Sequence, residues 1–201
     1  GVFVSNSRNG LNWSPAGSWV RFFRGFLSRP RHVASVMPSS RHLQRRLSSL
    51  GCVQSSRFLV ELGPGTGETT QALLSGMPDS ARLLCIEIVP QFVEQLQRIQ
   101  DPRLVVVLGS AHDIEDHLED HGFPPPDVVV SGIPFSTMSR REGRELIRTI
   151  HSLLAPGGAF VAYQLRDRIS ELASEYFGSP QRSFVLWNIP PLWVYQWTKS
   201  V

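Results

Sequence analysis

Phe58-Leu59-Val60-Glu61-Leu62-Gly63-Pro64-Gly65-Thr66-Gly67-Glu68-Thr69-Thr70 decides the fold. Five mostly apolar residues are followed by glycine at every second position and then by a polar helix start, which reads as strand, turn, helix. Glycine permits positive φ and lets a ligand approach the backbone closely. In a parallel α/β sheet such a turn lies at the carboxyl edge, where ligands bind. Two phosphate-binding readings fail. The dinucleotide fingerprint G-x-G-x-x-G would put its third glycine at Glu68, an acid beside a pyrophosphate. A P-loop needs Gly-Lys-Ser/Thr, which does not follow. The spacing present is E-x-G-x-G-x-G: Glu61, Gly63, Gly65 and Gly67, with Pro64 and Thr66 between the glycines.

Outward from this turn, strands and helices alternate. Apolar runs predict strands at Phe58–Leu62, Leu83–Glu87, Leu104–Leu108, Val128–Ser131 and Ala159–Gln164. Runs such as Leu104-Val105-Val106-Val107-Leu108 predict strands covered on both faces, hence a parallel sheet. Helices fit at about 67–76, 90–100, 113–121, 140–154 and 166–177, and this alternation argues a doubly wound α/β sheet. Ser183–Asn188 and Leu192–Trp197, joined by Ile189-Pro190-Pro191, have no helix between them and predict an antiparallel hairpin closing one sheet edge. Glu87 ends the second strand, before Ile88 and 20 residues after Gly67, where a carboxylate can accept both hydroxyls of a ribose. Glutamate is depleted in strands, so two at matching strand ends point to a ligand more than to capping.

The 201 residues suffice for one domain with an appendage, and no apolar run approaches the ~20 residues that span a bilayer. Two cysteines, Cys52 and Cys85, exclude a disulfide scaffold and a cysteine-rich zinc module. The net charge of +3 conceals an asymmetry: residues 1–60 hold nine arginines and no acid, while residues 61–201 hold eleven basic and seventeen acidic residues. A +9 segment on a −6 body suggests an anionic partner for the segment: membrane surface, nucleic acid or a targeting receptor. Residues 1–17 read as a lead-in without periodicity. Trp19, Phe22, Phe23, Phe26 and Leu27 then recur at helical spacing, with Arg21 and Arg24 off the stripe, before Pro30. That pattern fits an interfacial membrane helix, and equally a helix packed on the protein's own core. A second helix starts near Arg41, capped by Ser39 or Ser40, buries Leu43, Leu47 and Leu50, and stops at Gly51. His112, His117 and His121 sit among acids at spacings of five and four, and a solvated acidic helix is preferred to a metal site.

The E-x-G-x-G-x-G turn with Glu87 resembles the donor motifs of class I S-adenosylmethionine-dependent methyltransferases. The resemblance implies a Rossmann-like, mostly parallel seven-stranded sheet with a C-terminal antiparallel hairpin and N-terminal helices. It implies S-adenosyl-L-methionine as cofactor and S-adenosyl-L-homocysteine as product, held by Glu61, Gly63, Pro64, Gly65, Thr66, Gly67, Glu87, Ile88, Ser110, Ala111, His112, Ser131 and Gly132. Ser110 stands where the superfamily often has an acid, and Leu154-Ala155-Pro156-Gly157-Gly158 is general to these enzymes.

Ser131-Gly132-Ile133-Pro134-Phe135 follows the fourth strand, where methyltransferases place the acceptor. Adenine-N6 and ribosomal RNA adenine methyltransferases have Asn or Asp, an apolar residue, Pro and an aromatic there; Gly132 replaces the polar reader. The string resembles instead the Ser-Gly-Leu-Pro of bacterial soluble phosphatidylethanolamine N-methyltransferases. Phe23-Arg24-Gly25-Phe26 to Pro30, Met37-Pro38-Ser39-Ser40-Arg41 and Val185 to Tyr195, with Asn188-Ile189-Pro190-Pro191, resemble that family too, so the likeness covers about residues 19–198. It implies methyl transfer to phosphatidylethanolamine and its methylated intermediates toward phosphatidylcholine. The implied acceptor site comprises Ser39, Ser40 and Arg41 for the lipid phosphate at a helix N-terminus, with Ile133, Pro134, Phe135 and Tyr163 lining the pocket; Ser131 and Tyr163 are the catalytic candidates. Residues 1–56 would form a basic membrane-facing or lid segment, through Trp19, Arg21, Phe22, Phe23, Arg24, Phe26 and Leu27, and residues 57–201 the donor-binding domain. The expected place is the cytoplasmic face of a bacterial inner membrane. A mitochondrial transit peptide shares the composition of the opening, but the lipid-enzyme likeness begins within that stretch. Nucleic-acid adenine methylation, another amino-lipid such as an ornithine lipid, a small amine, and a non-enzymatic membrane module are the alternatives.

Overall fold

The computed structural model describes residues 39–201. Trp19, Arg21, Phe22, Phe23, Arg24, Phe26 and Leu27, expected to face a membrane, lie outside the described residues. Helix α1 (Arg41–Ser48) and the short α2 (Gly51–Gln54) precede β1 (Phe58–Leu62). The alternation continues with α3 (Glu68–Gly76), β2 (Arg82–Glu87), α4 (Pro90–Leu96), β3 (Leu104–Leu108), α5 (Ile114–Asp120), β4 (Val128–Ser131), α6 (Arg140–Leu153), β5 (Ala159–Gln164) and α7 (Arg168–Phe177). Strands β6 (Gln181–Val185) and β7 (Leu192–Thr198) end the chain. The seven strands form one sheet ordered β3-β2-β1-β4-β5-β7-β6, parallel except where β7 runs against β5 and β6. The expected class I methyltransferase architecture is therefore present, with the C-terminal hairpin at one edge.

Two apolar layers sandwich the sheet, because parallel strands bury both faces. One gathers Val60, Leu62, Ile86, Phe135, Ile147, Phe160 and Trp197; the other gathers Leu43, Leu47, Val53, Leu59, Leu73, Leu83, Val130 and Val161. Leu43, Leu47 and Val53 thus place α1 and α2 in the same core as the sheet. The expected boundary at residue 56 does not mark a separate appendage over residues 39–56. Gly51 also departs from expectation: Ser49 caps α1, and Gly51 opens α2 after Leu50. Strand β3 is a further correction. Its apolar run suggested coverage on both faces, yet it is an edge strand, half-buried, with Leu108 at its end 54% exposed.

Strand order reverses between β1 and β4, whose ends pair at Leu62 and Ser131. Brought together at that switch point are the turn after β1 and the turn after β4, which is where α/β sheets form a ligand crevice.

Candidate active site

The turn after β1 is built on left-handed backbone, with Gly63, Gly65 and Gly67 at φ of 67°, 61° and 90°. Gly63 N–H donates to Ile86 O and Gly132 N–H to Leu62 O, both at 3.0 Å, which locks the two turns side by side. Gly63 also faces the turn after β4: a Cβ on it would lie 2.9 Å from Ile133 Cγ1.

Glu61 was expected among the residues that hold the donor. The structure gives it a different job. It is fully buried, accepting from Thr69 Oγ1 at 2.5 Å and Thr70 Oγ1 at 2.6 Å, with Cys85 Sγ at 3.3 Å. Both hydroxyls come from the first turn of α3, so Glu61 ties the helix start to β1 and fixes the glycine turn between them. Burial raises its pKa despite those bonds. The two threonines were not identified from the sequence; two hydroxyls eight and nine residues after a strand glutamate were the available signal.

Glu87 stands at the end of β2, 3% exposed. One oxygen accepts from Gly65 N–H at 2.9 Å, the other from Ile88 N–H at 2.9 Å and Val89 N–H at 3.0 Å. Burial raises its pKa and the three N–H bonds counter this. The carboxylate thus reaches the glycine turn from the neighbouring strand, as a ribose-binding acid must. Pro64 is buried, Thr66 exposed and Ile88 half-buried along the same rim. After β3, Ser110 Oγ caps a short 3-10 turn by accepting from His112 N–H at 3.2 Å, Ala111 is 3% exposed, and His112 is half-buried. The solvated-face reading fails for His117, which is half-buried beneath Gly109, where burial lowers its pKa.

The acceptor side brings further corrections. Phe135, expected to line the pocket, is fully buried in the core beside α6 and α7. Ser131 is also fully buried; its hydroxyl accepts from Ile133 N–H at 3.3 Å and shapes the turn, so it is not presented to a substrate. Ile133 is 6% exposed, leaving Pro134 and Gly132 as half-buried wall. The turn is gripped by buried Gln164, whose Oε1 accepts from Phe135 N–H at 3.2 Å and whose Nε2 donates to Ile133 O at 2.8 Å. Gln164 is not among the site residues expected from the sequence, although a polar residue ending a buried strand was its signal.

Tyr163 explains Gly132. Its ring and hydroxyl lie over the glycine: a Cβ at position 132 would be 2.7 Å from Tyr163 Cζ, nearer still to Oη, and 3.0 Å from Gly63 O. The phenol stands 3.5 Å from Thr69 Oγ1. Burial first, then nearby Glu61, push its pKa far above the usual phenol value, so it stays protonated and cannot serve as a general base.

The expected phosphate site at the start of α1 is closed. Ser40 caps the helix by accepting from Leu43 N–H at 3.2 Å. Ser39 N–H donates to Glu68 Oε2 at 2.7 Å and Ser40 N–H to Asn188 Oδ1 at 3.0 Å. A carboxylate and an amide thus hold the N–H groups an anion would use; of the three residues expected there, only Arg41 is exposed.

These features define a class I methyltransferase: glycine turn, acid on the next strand, and the turn after β4 beside them at the switch point. The methyltransferase-domain family signature matches residues 60–160. The chain belongs to that family. It is 30% identical over 141 residues to an ornithine lipid N-methyltransferase of Singulisphaera acidiphila, covering 69% of this chain and 73% of the relative. It is 37% identical over 87 residues to a probable ribosomal RNA small subunit methyltransferase A of Pyrobaculum islandicum, covering 43% of this chain and 33% of that one. Among solved structures, the N-methyltransferase NodS of Bradyrhizobium japonicum in complex with S-adenosylhomocysteine superposes with a TM-score of 0.65 at 16% identity, over 87% of this chain and 97% of its own.

Proposed function

We propose that the protein transfers a methyl group from S-adenosylmethionine to the primary amine of an amino-lipid. Phosphatidylethanolamine is the acceptor favoured by the Ser-Gly-Ile-Pro and Asn-Ile-Pro-Pro strings, with repeated transfer toward phosphatidylcholine. An ornithine-type lipid is the second form, favoured by the 141-residue likeness to an ornithine lipid N-methyltransferase. The carrying observation is Tyr163 lying over Gly132. It fills the space from which an Asn side chain would read a flipped base, and it offers a single hydroxyl to a small amine instead.

The residues fit the donor. Left-handed glycines give a backbone surface free of Cβ atoms, and Glu87 brings a carboxylate to it. S-adenosylmethionine, when bound, supplies a methyl group already activated on a sulfonium sulfur. The chain then has to hold the amine in line and exclude water. Gly63, Gly65 and Gly67 with Glu87 and Ala111 would hold the nucleoside part. Tyr163, protonated and linked to Thr69, can accept a hydrogen bond from the incoming amine and orient its lone pair. Neither Ser131 nor Tyr163 takes the ammonium proton, so the amine must arrive neutral through exchange with water.

The test is incubation with methyl-labelled donor and vesicles of phosphatidylethanolamine, vesicles containing ornithine lipid, or ribosomal RNA. Label in either lipid supports the reading and identifies the head group; label only in RNA overturns it.

A further inference from the structure

We infer that the β6–β7 hairpin tip is a membrane-docking element that seats the acceptor turn at an anionic phospholipid surface. The tip, residues 186–191, leaves the sheet at the end where Gln164 pairs with Trp193, which is the carboxyl edge that carries both ligand turns. Its side chains are inverted relative to the rest of the fold. Leu186 is 58%, Trp187 71% and Ile189 87% exposed, with Phe184 and Leu165 half exposed at its base. Scattered surface apolar residues are ordinary, but a contiguous group of large ones marks an interaction site. Asn188, between them, is fully buried. It accepts from Ser40 N–H and donates from Nδ2 to Pro190 O at 2.9 Å, so the loop is pinned and the apolar chains are held outward.

Charge selects the partner. Helix α1 runs beside the hairpin, joined through the Ser40–Asn188 bond, the Arg46 Nε to Ser183 Oγ bond at 3.0 Å, and the His42 and Trp187 rings 6.4 Å apart. It exposes Arg41, Arg45 and Arg46 and contains no acid. An apolar tip with a tryptophan, flanked by arginines, matches the layering of a bilayer with anionic head groups: acyl boundary, interface, phosphate. RNA would use the arginines and stack on Trp187, but Leu186 and Ile189 offer it nothing, since they have no stacking face. The inference rests on the amino-lipid reading for its choice of partner.

The test is flotation of the full chain with phosphatidylglycerol-containing vesicles, beside phosphatidylcholine vesicles and an RNA-binding control, for wild type and a Trp187→Ser/Ile189→Ser variant. The expected result is preferential binding of wild type to the anionic vesicles and a loss of about ten-fold or more in the variant, as removal of two large interfacial side chains predicts. The urea midpoint should be unchanged, and so should methyl transfer to detergent-dispersed lipid. Equal flotation of both proteins overturns the inference. So does a lowered urea midpoint with equal flotation, which would mean that the chain itself covers the tip, and so does a loss confined to RNA binding. Flotation needs neither donor nor acceptor chemistry, so failure here is separate from failure of the methyl-transfer reading.

Discussion

Replacing Gly132 by alanine tests whether Tyr163 occupies the place of an acceptor-reading side chain. The added Cβ would sit 2.7 Å from Tyr163 Cζ and 3.0 Å from Gly63 O. Carbon atoms pack at about 3.5–4.0 Å, so the ring must move by about 1 Å, while Gly63 O belongs to the locked donor turn and cannot follow. Overpacking of this kind costs about 1–3 kcal/mol. In a Tyr163→Ala background only the Gly63 O contact remains, and the cost of Gly132→Ala should fall, giving a coupling of about 1–2 kcal/mol. Urea denaturation of the four proteins measures this cycle. Methyl transfer should fall in Gly132→Ala as well, because the displaced phenol no longer faces the acceptor turn. Gly132→Ala costing the same in both backgrounds, within about 0.3 kcal/mol, would refute the reasoning.

Three other perturbations probe the rest of the site. Glu87→Gln loses an acceptor oxygen among its three backbone donors and a charge at the glycine turn, so affinity for S-adenosylhomocysteine by titration calorimetry should drop about ten-fold or more. Asn188→Ala leaves Ser40 N–H and Pro190 O without their partner and should cost about 1–3 kcal/mol in urea, with faster hydrogen exchange at the start of α1. Glu61→Gln addresses pH. The native carboxyl has a raised pKa, so the folded state holds a proton that the unfolded state releases, and stability falls as pH rises from the ordinary carboxylate value through the raised one. The Gln variant should show a flatter decline over that window in denaturation series; a slope equal to wild type would contradict the assignment.

The sheet was legible because periodicity reports burial, and burial is what strands in a doubly wound fold share. Six strands fell where the apolar runs put them; β6 did not, since Leu186 and Trp187 extend the run into a loop whose side chains point away from the protein. Leu104–Leu108 misled for the opposite reason: an apolar composition does not say whether a strand is central or at the edge. In the site, spacing revealed the glycine turn and Glu87 but not what each carboxylate does. Glu61 and Glu87 look equivalent as strand-end acids. Only the three-dimensional placement of Thr69 and Thr70 separates a buried tie from an acid at the ligand turn. Phe135 and Ser131 failed likewise, because a turn's residues alternate between crevice and core in a way that no short string encodes. Glu68 and Asn188 closing the start of α1 are contacts across 29 and 148 residues, beyond any local pattern.

Methyl transfer to lipid is the direct measurement. With labelled S-adenosylmethionine, the wild-type protein should label phosphatidylethanolamine or ornithine-lipid vesicles and leave ribosomal RNA unlabelled. Labelled RNA with unlabelled lipid would contradict the account.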